Sequence, residues 1–505
     1  MAMNRKAGAA ALVIALFSAG GTGPAATKSE QPVSLHPKNP HYFLFRGKTV
    51  AFITSGEHYG AVINADFDYQ RYLATLQANG LNYTRLFGGS YVEVTGKSFG
   101  IARNDLAPAP GRFLAPWARS NTPGYAGGGN KFDLDRWDPE YFKRFHDFLT
   151  GASDRGIVVE ISLFSSLYGD AQWDLSSLKP ANNVNVNATE TFDRTKLQTL
   201  DNGKFLAYQE RYTRKLVQEA NSFDNVIFEI QNEPWSDRPA AGGVIGWVNQ
   251  LLPLPARDKF PNAADLADDL SLAWQARVAE WITNEEASLP NKHLIAQNYS
   301  NFRFPIRQLL PGVSIANFHY AYPEAVTWNY GLGKAISYDE TGFMGRDDDL
   351  YRRQAWNFML SGGGIFDALD YSFSPGHEDG TDTEPNGPGG GSVALRQQLH
   401  ALSDFLQSLA LADLHPDART VKYARGTIAR VLSNPGHEYA MYFDGDGPTE
   451  VTLDLPEGDY SGDWINVRTG KIERSDHVRA TRGDVILKSP DFMNGIALRL
   501  KRAVR

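Results

Sequence analysis

A chain of 505 residues is too long for one small domain and has room for a large barrel with an accessory module. Hydrophobic residues make up 42% and charged residues 21%, the balance of a globular protein in water, and a net charge of −8 without a long basic run argues against a nucleic-acid partner. With no cysteine, disulfides and a lipid-modified cysteine anchor are excluded, so stability must come from a large apolar core.

Arg5 and Lys6 precede a mostly apolar stretch at 9–19, and small residues follow, ending in Pro24-Ala25-Ala26. This is the pattern of a cleaved secretory signal, too short to span a bilayer. Residues 1–26 are therefore expected to be removed, leaving a secreted or periplasmic protein without a membrane anchor.

Beyond that point short apolar runs alternate with amphipathic segments. Strands are expected at 49–55, 81–87, 157–164, 225–231, 293–298, 313–320, 334–341 and 363–369. Helices are expected at 67–79, 139–155, 204–220, 263–288, 348–361 and 393–411; Asp138 reads as the cap of the second, with Phe142, Phe145 and Leu149 at helical spacing. Eight strand–helix units point to an α/β fold, a (β/α)8 TIM barrel over 33–412. The rival, a doubly wound open sheet, lacks its Gly-rich dinucleotide turn.

From 413 to 505 the texture becomes short alternating strands at 427–433, 438–443, 449–455, 464–468, 484–487 and 495–500, separated by turns such as Asp444-Gly445-Asp446-Gly447. This reads as a small C-terminal all-β sandwich that either caps the barrel or binds glycan. Three long segments, 88–137, 165–201 and 371–391, follow barrel strands and read as irregular loops around a site; the last, with Gly/Pro residues and His377-Glu378-Asp379, reads as a mobile lid.

Two motifs carry chemistry. Phe228-Glu229-Ile230-Gln231-Asn232-Glu233-Pro234-Trp235 puts Asn232 and Glu233 at the end of the fourth strand, and Ser337-Tyr338-Asp339-Glu340-Thr341-Gly342 puts Glu340 at the end of the seventh. Catalytic residues of such barrels sit at the carboxyl ends of strands, and the two glutamates converge only if the barrel closes. Asp339, next to Glu340, is expected to face the other way because side chains alternate along a strand. Glu229, deeper in its strand, is expected to be structural.

Asn-Glu-Pro after the fourth strand and Glu-Thr-Gly after the seventh resemble the glycoside hydrolases of clan A, the cellulase-like superfamily, over roughly the whole barrel. The resemblance implies Glu233 as acid/base and Glu340 as nucleophile of a retaining cleavage of a β-linked glycan. It also implies Asn232 as a contact to the sugar 2-hydroxyl, Arg85 as the second-strand arginine holding the nucleophile ionised, and His319 as the sixth-strand histidine.

The sugar-holding shell departs from the best-known cellulases. Leu163-Phe164-Ser165-Ser166 replaces a third-strand histidine, Ala321 stands between Tyr320 and Tyr322 where a tyrosine belongs, and Phe366-Asp367-Ala368-Leu369-Asp370 lacks the eighth-strand tryptophan. A different family of the same clan is implied. Tyr320, Trp235, Glu57 and His58 are further candidates for binding the carbohydrate, Glu57 and His58 equally as a structural ion pair. Trp117, Tyr125, Trp137 and Tyr168 are loop aromatics that serve either as packing or as sugar platforms. Without a His-x-His pair after the first strand or an H-E-x-x-H helix, neither a metal nor another cofactor is expected. A transglycosylase with the same site and a non-catalytic carbohydrate-binding barrel stay open.

Overall fold

The structure is a computed structural model that describes residues 31–240, 264–383, 387–481 and 483–503; the expected export signal lies outside them. Eight parallel strands form the central sheet: β1 (Phe52–Gly56), β2 (Tyr83–Phe87), β3 (Val158–Ser165), β4 (Val226–Asn232), β5 (Leu294–Asn301), β6 (Val313–His319), β7 (Ala335–Glu340) and β8 (Ile365–Leu369). Helices α1 (Tyr69–Ala78), α2 (Pro139–Asp154), α3 (Phe205–Ala220), α4 (Asp269–Ala287), α5 (Pro323–Asn329), α6 (Asp348–Met359) and α7 (Val393–Gln407) flank it. Seven of the eight strands are buried along their whole length or all but one residue, because helices cover the outside and side chains fill the inside. The helices obey local rules: Asp138 caps α2 by accepting from the backbone of Glu140 and Tyr141, with Pro139 in the first turn.

Hydrogen-bonded pairing runs β1-β8-β7-β6-β5-β4-β3-β2, and side chains bridge the seam between β1 and β2. The Asn82 amide donates to the Ala51 carbonyl at 3.0 Å and accepts from the Ile53 N–H at 2.9 Å. From α1, the Tyr72 hydroxyl bonds Thr84 Oγ1 at 2.7 Å and accepts from the Glu57 N–H at 3.3 Å.

The interior is layered. At the bottom, one residue from each strand (Phe52, Tyr83, Val158, Ile227, Ala296, Ile315, Ala335, Ile365) packs against Phe43 and Phe45 of a small N-terminal sheet. Above lies a polar layer: Asn317 Nδ2 donates to Glu160 at 2.6 Å and Glu229 at 3.0 Å, and the Tyr83 hydroxyl donates to Glu160 at 2.8 Å. The candidate residues sit on top, at the carboxyl ends of the strands.

Several expectations are corrected. The strand–helix alternation breaks once, since residues 302–312 join β5 to β6 without a helix. The segment 88–137 is not irregular throughout: Trp117–Pro123 and Asn130–Trp137 form an antiparallel pair. The segment 165–201 holds a short helix, Asp170–Leu175. The expected lid is fastened where it is described: Glu378 accepts from the N–H groups of Asp68 and Gly376, Asp379 pairs with Arg71, and Arg396 donates to the Gly380 carbonyl at 2.7 Å.

The C-terminal region is an antiparallel sandwich. One sheet has the order His415–Pro416, Thr427–Asn434, Glu438–Gly445, Ile496–Arg502, Gly458–Ile465, Ile472–Ala480; the other comprises Val421–Ala424, Glu450–Leu453 and Val485–Lys488. The strand expected at 464–468 ends at Ile465, and the edge strand Ile472–Ala480 was not expected. Its first six residues include no buried side chain, so no apolar alternation announces it. The sandwich rests on α6 and α7: Tyr442 stacks near Trp356 with centroids 5.4 Å apart, Arg353 pairs with Asp444 at 2.7 Å, and Leu432, Ala440, Tyr442, Ile465 and Val467 join the barrel's apolar core.

Candidate active site

Glu233 directly follows β4 and adopts φ 45°, a left-handed conformation that a glutamate takes at a cost of about 1–3 kcal/mol. Its surroundings hold both sides of the strained peptide: the N–H donates to Asn298 Oδ1 at 2.8 Å, and the carbonyl accepts from Ser166 Oγ at 2.7 Å. Tyr59, Phe99, Tyr168 and Tyr320 are also left-handed, and with Glu233 all of them line one cleft of about 510 Å³. Strain in bulky residues collects at this mouth, as expected of a functional site.

Glu340 ends β7 on the same cleft. Its Oε1 accepts from the Tyr320 hydroxyl at 2.7 Å, and its Oε2 lies 3.4 Å from Arg85 Nη1. His319, fully buried at the end of β6, stands between the glutamates: Nδ1 is 2.9 Å from Glu233 Oε1 and 3.4 Å from Glu340 Oε1. Burial disfavours a charged imidazole, but Glu340, Asp339 and Glu233 outweigh it and push His319 well above the usual histidine range. Burial and Glu233 lift the Glu340 carboxyl, while His319, Arg85 and the Tyr320 hydrogen bond pull it down; the net direction is up.

Asp339 does not face away from Glu340. The β6–β7 ladder slips between Phe318 and His319, so that Phe318 pairs with Tyr338 and His319 with Glu340. The bulge leaves Asp339 unpaired and turns it inward. Its Oδ2 lies 3.4 Å from Arg85 Nε and 3.7 Å from His319 Nε2, and despite burial these two cations hold its carboxyl below the usual range. Arg85 is buried beneath both acids, 2.5 Å from Glu229 and 3.0 Å from Asn232 Oδ1, with the Tyr59 ring 4.5 Å away. Glu229 thus balances the buried guanidinium, the structural role expected of it.

Aromatic rings run around one side of the cleft in a closed circuit of contacts. Phe87 meets Tyr91 at 5.7 Å, Tyr91 meets Tyr168 at 5.9 Å, and Tyr168 meets Phe99 at 5.0 Å. Phe99 meets Phe343 at 6.2 Å and Phe343 meets Tyr371 at 6.4 Å. Tyr371 meets His58 at 6.3 Å, and His58 leads through Tyr59 back to Phe87 at 5.7 and 5.3 Å. Against this circuit His58 Nε2 lies 3.2 Å from Glu93 Oε1, which also accepts from the Tyr91 hydroxyl at 3.2 Å.

No protein-family model matches the chain, and no curated protein is similar enough in sequence to be matched. Solved structures do match. A glycoside hydrolase superposes with a TM-score of 0.59 at 12% identity, over 94% of this chain and 97% of that one. A glycoside hydrolase family 5 protein from Bacteroides vulgatus superposes with a TM-score of 0.58 at 11% identity, over 93% of each chain. The chain has the fold of these glycoside hydrolases.

On that fold the expected residues divide clearly. Glu233, Glu340, Asn232, Tyr320, Trp235 and His58 line the cleft, with Arg85 and His319 directly beneath. Glu57 does not join them. It is buried in a carboxyl pair with Asp105 and accepts from the Gly60 N–H at 2.8 Å; burial and Asp105 push its carboxyl well up. Of the loop aromatics only Tyr168 reaches the cleft, its hydroxyl accepting from Asn232 Nδ2 at 2.8 Å. Trp117 and Tyr125 are buried in the apolar core, and Trp137 packs against Phe142. Glu93, Phe99, Phe343, Asp265 and Asn301 are among the further lining residues that were not singled out from the sequence. Glu233, His319 and Glu340 offer ligand atoms within 4.8 Å of one another, a trio that could hold a cation; here His319 and Arg85 already supply positive charge. Among the described residues no helix is long and apolar enough to cross a membrane.

Proposed function

We propose that the protein is a retaining glycoside hydrolase with Glu340 as nucleophile and Glu233 as acid/base. One observation carries this reading: oxygens of the two carboxyls lie within 4.8 Å of each other across an open cleft at the carboxyl face of the barrel. Carboxyls about 5–5.5 Å apart leave no room for a water between the second carboxylate and the anomeric carbon, and so favour a covalent intermediate.

In this mechanism Glu340 attacks the anomeric carbon while Glu233 gives its proton to the departing glycosidic oxygen. The C–O bond to the leaving group breaks as the C–O bond to Glu340 forms. Glu340 loses its charge, and Glu233, now ionised, takes a proton from water as the water attacks the same carbon and releases Glu340. Arg85, His319 and the Tyr320 hydroxyl favour the ionised Glu340 needed at the start. Asn232, oriented by Arg85 and Tyr168, is placed to bond a hydroxyl on the glycosyl unit.

The test is hydrolysis of a panel of β-linked glycans and aryl glycosides by wild type, Glu340→Gln and Glu233→Gln, with product configuration followed by NMR. Wild type should turn over with retention, and Glu233→Gln should lose about 10²–10⁴-fold in kcat on unactivated substrates. Inversion, or undiminished activity in Glu340→Gln, would sink the assignment. Binding without turnover across the panel would favour a carbohydrate-binding protein.

A further inference from the structure

We infer that the cleft is closed on its glycosyl side and accepts only the non-reducing terminal unit of an uncharged glycan, with His58 and Glu93 reading that unit's hydroxyls. The inference rests on the proposed roles of Glu233 and Glu340. Because Glu233 protonates the leaving oxygen, the leaving group must lie on its side of the cleft, where Trp235, Asp265 and Asn301 form the wall from β4 and β5. The glycosyl unit must then extend the other way, toward β1 and β2, which stand across the barrel mouth from β5 and β6.

That side is walled. Phe99 comes from the β2–α2 connection and Phe343 from the β7–α6 connection, and their rings meet at 6.2 Å, closing the aromatic circuit between Tyr168 and Tyr371. A further sugar unit would have to pass through this contact. Behind it the wall carries a built polar pair: the Glu93 side chain is 3% exposed and His58 12%, with Nε2 and Oε1 at 3.2 Å. Both residues line the cleft, and His58, the Tyr91 hydroxyl and the Asn104 amide hold the Glu93 carboxylate in one orientation. Hydroxyls of a sugar can give and take hydrogen bonds with such groups, and the aromatic faces suit its C–H faces. Charge narrows the choice further. Glu93, Glu233, Asp265 and Glu340 line the cleft, no lysine or arginine does among the described residues, and His319 and Arg85 beneath it are already paired with acids, so a uronate meets net repulsion.

The test uses binding, so that it stands apart from turnover. The full-length Glu340→Gln variant is titrated calorimetrically with β-linked gluco-, manno- and xylo-oligosaccharides, each with a free non-reducing end, with that end blocked by a 4-O-methyl group, or with the reducing end converted to an aryl glycoside. Blocking the non-reducing end should weaken binding at least about tenfold, and Glu93→Gln should do the same to the free-ended ligand. Blocking the reducing end should change little. Phe99→Ala, at a side chain already 39% exposed and so safe for folding, should restore binding of the blocked ligand. Equal affinity for free and blocked non-reducing ends, or no binding by any of the three series, would overturn the closed subsite. Wild type that holds free-ended ligands in this manner yet never cleaves them would support the subsite and sink the hydrolase reading.

Discussion

His319 is surrounded by acids from two strand ends: Glu233 after β4, and Asp339 and Glu340 on β7, with Arg85 of β2 beyond Asp339 and the Tyr320 and Trp235 rings edge-on. A charged His319 is one of the groups that pull the Glu340 carboxyl down against burial. If Glu340 must be ionised to attack, kcat/KM falls as pH drops through its pKa. His319→Gln removes a positive charge that depresses that pKa, so the acid limb of the pH profile should move to higher pH by about one unit or more. An acid limb that stays in place would show that His319 only fills space. Asp339→Asn acts on the imidazole instead, removing a negative neighbour. The His319 pKa, read by NMR from its ring protons, should fall.

Secondary-structure elements put these groups where they are by small departures from regularity. The bulge in β7 turns two consecutive acids into one interior, and the left-handed turn after β4 aims Glu233 into the mouth. One amide, Asn82, both donates and accepts across the β1–β2 seam beside the Tyr72 bridge, and Arg85 sits three residues along from that amide. Asn82→Ala should therefore lower stability by about 1–3 kcal/mol in urea denaturation, since two buried backbone groups lose their partner. A change below about 0.5 kcal/mol would show that the strands hold each other without it.

At the scale of the whole molecule, barrel and sandwich share an apolar core and a set of ion pairs along α6. Calorimetry should give one cooperative transition, and deleting 413–505 should leave the exposed faces of α6 and α7 prone to aggregate. Two separate transitions would mean that the sandwich folds on its own. Stability should also lean to the acid side. Burial raises Glu57, Glu160, Asp367 and Glu340 above their unfolded values, so the folded state binds these protons more tightly. Their stabilisation is complete below the unfolded carboxyl range and declines as pH rises through the folded values. Asp339 and Asp444 run the opposite way and lose their contribution as pH falls through their depressed values. Tm should thus be higher near about pH 5 than near about pH 8. A flat or rising Tm over that window would contradict the upward shift of these buried acids.

The amino-acid sequence by itself determined the barrel and its two glutamates. Long apolar runs at regular intervals make sense only as strands buried on both faces, and a carboxylate at the end of such a run, as at Glu233 and Glu340, marks the strand mouth. Those signals are local; Asn232, Arg85 and His319 followed only from the resemblance that the two motifs carry, and the structure gathers all three at or beneath the cleft. Tertiary structure alone decided the inward turn of Asp339, because that depends on how β6 pairs with β7 and not on alternation within β7. It also decided that Glu57 pairs with Asp105 and leaves the cleft to His58. The aromatic circuit is likewise beyond local pattern: its members come from the ends of β1, β2, β3, β7 and β8, and each looks like ordinary packing until chain closure brings them together. Period and burial are written in neighbouring residues; charge balance and enclosure arise between residues that only the closed barrel makes neighbours.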